Sequence, residues 1–254
     1  MSERISRRKL ITTGVAAAAG ASGLGVAAAL ANRYGLIPPD HGGIFGAGET
    51  LTYAAQRALM SRHSLAREFN RSEISKVAPV NGKPPETDAY QRLLAGGFAD
   101  WRLTVDGLVA RPSSFSLAEL KRFPSGSQIT HQACEEGWSF IAEWTGVPLS
   151  YVLNLVGVST QAKYVVYFSL DKFWWDSIDM RDAWHPQTFL AYGMNGQELP
   201  DGHGAPVRMK VPRQLGYKSV KHLSHITVTD TAKNIGKGMG SMPPEHGYSW
   251  YAGI

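Results

Sequence analysis

The stretch THQACEEGW (residues 130–138) holds the only cysteine of the chain, Cys134. A lone thiol has three uses: a small buried hydrophobe, a nucleophile, or a soft metal ligand. A nucleophile needs a base, and His131 lies three residues away, but spacing along the chain does not establish contact. Glu135 and Glu136 follow directly and raise a thiol pKa, the wrong direction for a free nucleophile. Metal coordination removes that obstacle, because it deprotonates the thiol outright. The HLSH stretch (222–225) has a histidine pair in H-x-x-H form. Its surroundings read as strand, where positions i and i+3 face opposite sides, so an all-protein zinc or haem site is not favoured. The segment 203–223 is different: Arg208, Lys210, Arg213, Lys218 and Lys221 sit among turn-forming Gly and Pro. Two readings stand, a solvated edge or an anion cradle in which Arg offers a planar fork and Lys a point charge.

The elements that would position these groups are mixed. LTYAAQRALMSRHSLAREF (51–69) predicts a helix with Leu51, Ala54, Ala55, Ala58 and Leu59 on one face. WRLTVDGLV (101–109) alternates through Trp101, Leu103 and Val105 and predicts a strand that turns at Asp106-Gly107. Ser116 and Glu119 form the capping box of a short helix. Leu149, Val152, Leu153 and Val156 recur at helical spacing, with Gly157 as the stop. Strands are expected at 162–170, 206–211 and 223–230, and 189–199 suggests a strand with a turn at Asn195-Gly196. Residues 32–48 and 76–88 read as Gly/Pro-rich arm and loop. Helices and strands mix without strict alternation, so the expected class is α+β. No GxGxxG follows a strand and no P-loop is present.

Composition is globular, with 43% hydrophobic and 19% charged residues, and seven tryptophans supply material for core and pocket walls. The formal charge is +5, but Arg4, Arg7, Arg8, Lys9 and Glu3 carry +3 of it. No later Lys/Arg run exists, which argues against nucleic-acid binding. SRRKLIT (6–12) precedes an uncharged Ala/Gly-rich stretch that runs to ALA (29–31), a small-x-small signal-peptidase form. The twin arginine reads as a Tat export signal with Leu10 at the usual Phe position, and hence as a periplasmic protein. The stretch is also long enough to remain as a membrane anchor.

Taken together these stretches resemble the molybdopterin domain of the sulfite oxidase family. The likeness is to its bacterial, Tat-exported members, among them the protein-methionine-sulfoxide reductase catalytic subunit. ACEEGWSFIAEWTGVPL is similar to the block around the metal-binding cysteine. SIDMRDAWHPQTFLAYGMNGQELPDGHGAPVRMKVPRQLGYKSVKHL is similar to the long cofactor block. The likeness covers residues 90–230. It implies a sulfite-oxidase-type molybdopterin-binding fold, mixed sheets with short helices, over residues 89–254. The signal (1–31) and an arm with a helix (32–88) would precede it.

The resemblance also implies roles. Cys134 would be the single protein ligand of molybdenum, and the cofactor Mo-molybdopterin. Ser169, His203, Arg208, Ser219, Val220 and Lys221 would hold the pterin and its phosphate. FNRSEIS places Asn70 and Glu73 near further cofactor contacts, without a firm match. Trp174 in WWDSI stands where the family has a substrate-site tyrosine. Glu135 and Glu136 stand where sulfite oxidases have arginines. Trp138, Trp175 and Trp184 are candidate apolar walls. The chain ends at YAGI without the Ig-like domain of true sulfite oxidases. The expected activity is two-electron oxygen-atom transfer that reduces a neutral S- or N-oxide. Sulfite oxidation, or a non-catalytic cofactor carrier, are the alternatives. No second cysteine is present for a CxxCH haem or a cluster, so a separate haem-type redox partner is implied.

Overall fold

The computed structural model describes residues 36–61, 63–171 and 173–254. The expected export signal lies outside the described residues.

Two five-stranded sheets carry the body. The first has β1 (Arg102–Gly107), β2 (Ser113–Ser116), β5 (Tyr164–Ser169), β6 (Trp175–Asp179) and β10 (Leu223–Thr229), in the order β2-β1-β10-β5-β6. Only its β1–β10 pair is parallel. The second has β3 (Gly126–Ala133), β4 (Ser139–Pro148), β7 (Phe189–Met194) and β8 (Gln197–Glu198) in that order, with β9 (Arg208–Lys210) paired to β7. Asn195 and Gly196 take positive φ of 53° and 78°, the two-residue turn that matches hairpin twist. The expected α+β class and the mixed sheets are what the structure has.

The core between the sheets follows from strand alternation. Trp101, Leu103 and Val105 point inward from β1, with Val165, Tyr167, Ile178, Ile226 and Val228 from its neighbours. A helix over Leu149–Val156 lays Leu149, Val152, Leu153 and Val156 into this core, all fully buried. Burial of each such side chain stabilises by about 1.5–3 kcal/mol at most. Gly157, at φ 71°, ends the helix in the left-handed conformation that only glycine adopts without cost. A helix over Leu117–Arg122 starts at the expected Ser116–Glu119 capping box.

One element differs from its sequence expectation. The first helix, α1, spans Gly46–Leu59 and buries Tyr53 and Arg57 rather than its leucines. Leu51 is 72% and Leu59 86% exposed. Tyr53 Oη donates to Asp179 Oδ2 at 2.6 Å, and the Arg57 guanidinium meets Asp179 and Asp182 at 2.6 and 2.7 Å. Arg57 also stacks over Tyr53 and Tyr251. Periodicity finds an apolar face but does not say which face docks, and here a buried ion-pair cluster decides. After Leu59 the chain becomes extended. Phe69 N donates to Ile129 O and Ser75 N to Ile141 O, so this stretch lies against β3 and β4. It leads to the 79–83 loop over the site.

Candidate active site

Cys134 is the first residue after β3, inside the turn that joins β3 to β4. Its N–H donates to the Trp138 carbonyl at 2.9 Å, and Gly137 returns to the Cys134 carbonyl at 3.1 Å. Gly137 has φ 92°, which a side chain would strain. The turn therefore holds the thiol in place at 8% exposure, facing a cavity of about 240 Å³. Sγ donates to Glu135 Oε2 at 3.3 Å, and Asn81 Nδ2 reaches Sγ at 3.8 Å. Burial and then the Glu135 carboxylate push the thiol pKa up, so the metal-free thiol stays protonated. Glu136 turns aside to accept from Trp138 Nε1 at 2.8 Å.

The segment 203–222 forms the opposite wall. Gly204, at φ 112°, lets it fold against Lys221, whose Cβ would lie 2.9 Å from a side chain at that position. Arg208 is 3% exposed and donates to the carbonyls of His203 and Ser219 at 2.9 and 2.7 Å. Ser219 Oγ accepts from Val211 N, and Val220 O from Met209 N, which holds this strip against β9. Lys221 Nζ donates to the carbonyls of Asn81 and Gly202, both at 2.6 Å. Ser169, at the end of β5, and Trp174 close the cavity from the first sheet.

Electrostatics separates the five cations of this run. Lys218 pairs with Asp176 at 2.6 Å, and Arg213 lies 3.8 Å from Asp182. Arg208, Lys210 and Lys221 meet no carboxylate at ion-pair distance among the described residues. Burial lowers the Arg208 pKa to about 10 and, with the Arg208 charge, the Lys221 pKa to about 8. Burial and then Arg208 also push Lys210 well down. His203 falls to about 4 through burial and then the charges of Arg208 and Lys221. The segment is therefore no solvated edge. Its Arg208, Lys210 and Lys221 have no counter-charge among the described residues, and a bound anion would relieve them.

The structure thus brings Cys134, Ser169, Trp174, His203, Arg208, Ser219, Val220 and Lys221 to one cavity. His131 does not join them: strand alternation turns it away from Gln132 and Cys134 and toward Phe69. Asn70 and Glu73 form a capping box elsewhere. Of the candidate walls, Trp138 lines the cavity, whereas Trp175 and Trp184 do not. Sequence reasoning missed Gln132 and Asn81. Alternation from Cys134 points to Gln132, but no local signal marks Asn81 in its loop. His222 reaches the cavity while His225 turns to Asp106 at 2.9 Å, as strand spacing requires.

A fit to the molybdenum cofactor can be judged from these groups. Among the described residues no three His, Cys, Asp or Glu side chains gather to hold a metal ion. A metal at Cys134 would take its other ligands from a non-protein group, and an anionic pterin phosphate matches the uncompensated cations. His222 Nε2 is buried with no partner among the described residues, a further acceptor for such a group. The residues present fit.

The comparisons agree. The oxidoreductase molybdopterin binding domain family matches residues 92–235. A protein provisionally named a protein-methionine-sulfoxide reductase subunit, from Azospira oryzae, is 36% identical over 195 residues, 77% of this chain and 70% of that protein. A protein-methionine-sulfoxide reductase catalytic subunit from Ralstonia nicotianae is 33% identical over 58% of this chain, and one from Xanthomonas axonopodis 37% identical over 56%. The chain spans about half the length of these two, 49% and 48%. The crystal structure of the sulfane dehydrogenase SoxCD from Paracoccus pantotrophus superposes with a TM-score of 0.51 at 28% identity, over 52% of this chain and 39% of that one. With its sulfite-oxidase-type fold and its matched segment, the chain belongs to the oxidoreductase molybdopterin binding domain family.

Proposed function

We propose that this chain is a periplasmic, Tat-exported oxidoreductase that reduces a neutral S- or N-oxide, most directly a sulfoxide. The observation that carries the reading is one cavity lined both by a lone thiol and by Arg208 and Lys221, cations that meet no carboxylate at ion-pair distance among the described residues. The relatives named for methionine sulfoxide reduction support the choice of oxide.

When bound, the molybdenum cofactor supplies two-electron oxygen-atom transfer: R2SO + 2 e⁻ + 2 H⁺ gives R2S + H2O. Cys134 would hold the metal as a thiolate, giving up its proton on binding. Arg208 and Lys221 would neutralise the cofactor phosphate, with Ser219 and Val220 shaping the strip between them. His203, held neutral, would offer a ring nitrogen from its place against Phe140, whose ring is tilted at 60° to it. Ser169 would place its hydroxyl on the cofactor. Trp174 and Trp138 would give apolar walls to the substrate's carbon groups. Glu135, beside Cys134, would add negative charge at the metal end and so disfavour a dianion. Electrons would come from a separate haem-type partner, since Cys134 is the only cysteine available in this chain.

The test is metal and pterin content of protein purified after native export, followed by viologen-linked reduction of sulfoxides and N-oxides against ferricyanide-linked sulfite oxidation. About one molybdenum per chain and a higher kcat/KM for an oxide support the reading. A higher kcat/KM for sulfite overturns it. Export is tested by Arg7→Lys with Arg8→Lys, which leaves the protein in the cytoplasm if the Tat reading holds.

A further inference from the structure

Gln132 stands two residues before Cys134 in β3, and both line the cavity. Alternate residues of a strand share a face at about 6.5–7 Å, so one small ligand can meet both the Gln132 amide and an atom held at the Cys134 sulfur. Gln132 is 6% exposed. Its Oε1 accepts from Lys210 Nζ at 2.6 Å, and the same Nζ donates to the His131 carbonyl at 3.0 Å.

Both contacts that Lys210 Nζ makes here are donations to oxygens, the Gln132 Oε1 and the His131 carbonyl. The amide atom that faces Lys210 is therefore the oxygen, and Nε2 turns the other way, beside Gly216. A Cβ at position 216 would lie 2.6 Å from Nε2, so glycine there leaves the amino group uncovered. Nε2 has no hydrogen-bond partner among the described residues. Gly216 itself lines the cavity. A nearly buried donor thus stands at the Cys134 end with nothing to donate to. The donors placed here, Gln132 Nε2 and Asn81 Nδ2, are neutral, and Glu135 shares the space. A neutral oxide oxygen suits such donors, whereas an anion would also meet the Glu135 carboxylate.

We propose that Gln132 donates a hydrogen bond to the oxygen of the neutral S- or N-oxide, and that Lys210 is the positioning residue that keeps its amide in the donor orientation. The inference rests on the oxide-reducing reading above.

Two measurements test it on molybdenum-loaded protein: steady-state kinetics with dimethyl sulfoxide, and the dissociation constant of dimethyl sulfone for the oxidised protein. The sulfone presents the same S–O oxygen and needs no turnover. Gln132→Leu removes the donor. Gln132→Glu keeps the shape, gives Lys210 an ion-pair partner and replaces the donor with an acceptor, so it remains informative if the leucine variant folds poorly. Both raise the sulfoxide KM and the sulfone Kd, by about 3- to 10-fold for the leucine variant, with kcat changed less than KM. Lys210→Met moves both constants the same way at equal molybdenum content, a split that mere loss of stability does not give. Wild-type constants in both Gln132 variants overturn the inference while leaving oxide reduction standing. A wild-type protein that neither reduces an oxide nor binds the sulfone overturns both.

Discussion

The Arg208 guanidinium carbon lies over the Trp144 ring, 5.0 Å from its centre, and no carboxylate of the described residues lies at ion-pair distance from it. The ring offers a buried cation partial compensation, and Lys210 shares it from 5.0 Å. A site built this way is under electrostatic load until an anion arrives.

Arg208→Met is expected to cut cofactor content and also to lower the stability of the cofactor-free protein. Loss of a charge-assisted fork to a phosphate costs about 1.5–3 kcal/mol, about 10- to 100-fold in affinity. The lost cation met no carboxylate, but it donated to the buried carbonyls of His203 and Ser219, so the metal-free fold gives up about 1–3 kcal/mol. Pterin content after purification and thermal melts of the metal-free protein check the two halves separately. Unchanged pterin content refutes the phosphate role.

Cys134→Ser should abolish oxygen-atom transfer and retain most of the pterin. The thiolate is one anchor, and the strip 203–221 is another. A hydroxyl is a poor replacement for a soft thiolate and does not ionise at neutral pH. Full turnover in the serine variant would mean that the thiol is only a buried hydrophobe.

His203 predicts a pH dependence. Its folded-state pKa is lowered to about 4 from the usual 6.5, by burial first and by Arg208 and Lys221 next. Between those values the unfolded chain binds the proton and the folded protein does not, so stability rises with pH. The contribution is fully present above 6.5 and is lost as pH falls through 4. Denaturant melts of the cofactor-free protein across pH 4–7 should show this slope, and His203→Asn should flatten it. Equal slopes in the two proteins would remove His203 as the source.

Much of this architecture was legible. The Leu149–Val156 helix announced its buried stripe and its glycine stop, because propensity, periodicity and packing agree there. Strand β1 did the same through alternation. The long cofactor block located Arg208 and Lys221, but whether its cations are solvated depends on which carboxylates fold against them. Asp176 and Asp182 claim Lys218 and Arg213 and leave Arg208 and Lys210 alone, a pairing between distant segments that no local pattern shows. Asn81 was invisible for the same reason: its place beside Cys134 comes from a loop crossing 53 residues of separation.

Helix α1 gives the last prediction, because two of its faces make opposite claims. Its leucine face satisfies the apolar periodicity of a core helix, yet Leu51 and Leu59 stand in solvent in this chain. Its Tyr53–Arg57 face carries a charge, yet it is the face that docks. Arg57 holds Asp179 and Asp182 together, and burial followed by the Asp182 charge already raises the Asp179 pKa. Removing the cation leaves two buried carboxylates facing each other, which costs about 3–5 kcal/mol. Arg57→Met should therefore lower stability by that order, and more steeply above the pH at which the pair ionises. Leu51→Gln should change stability by no more than about 0.5 kcal/mol, as at other exposed positions. Urea melts of the two variants rank the faces directly. A large loss in Leu51→Gln with little in Arg57→Met would reverse the docking described for α1.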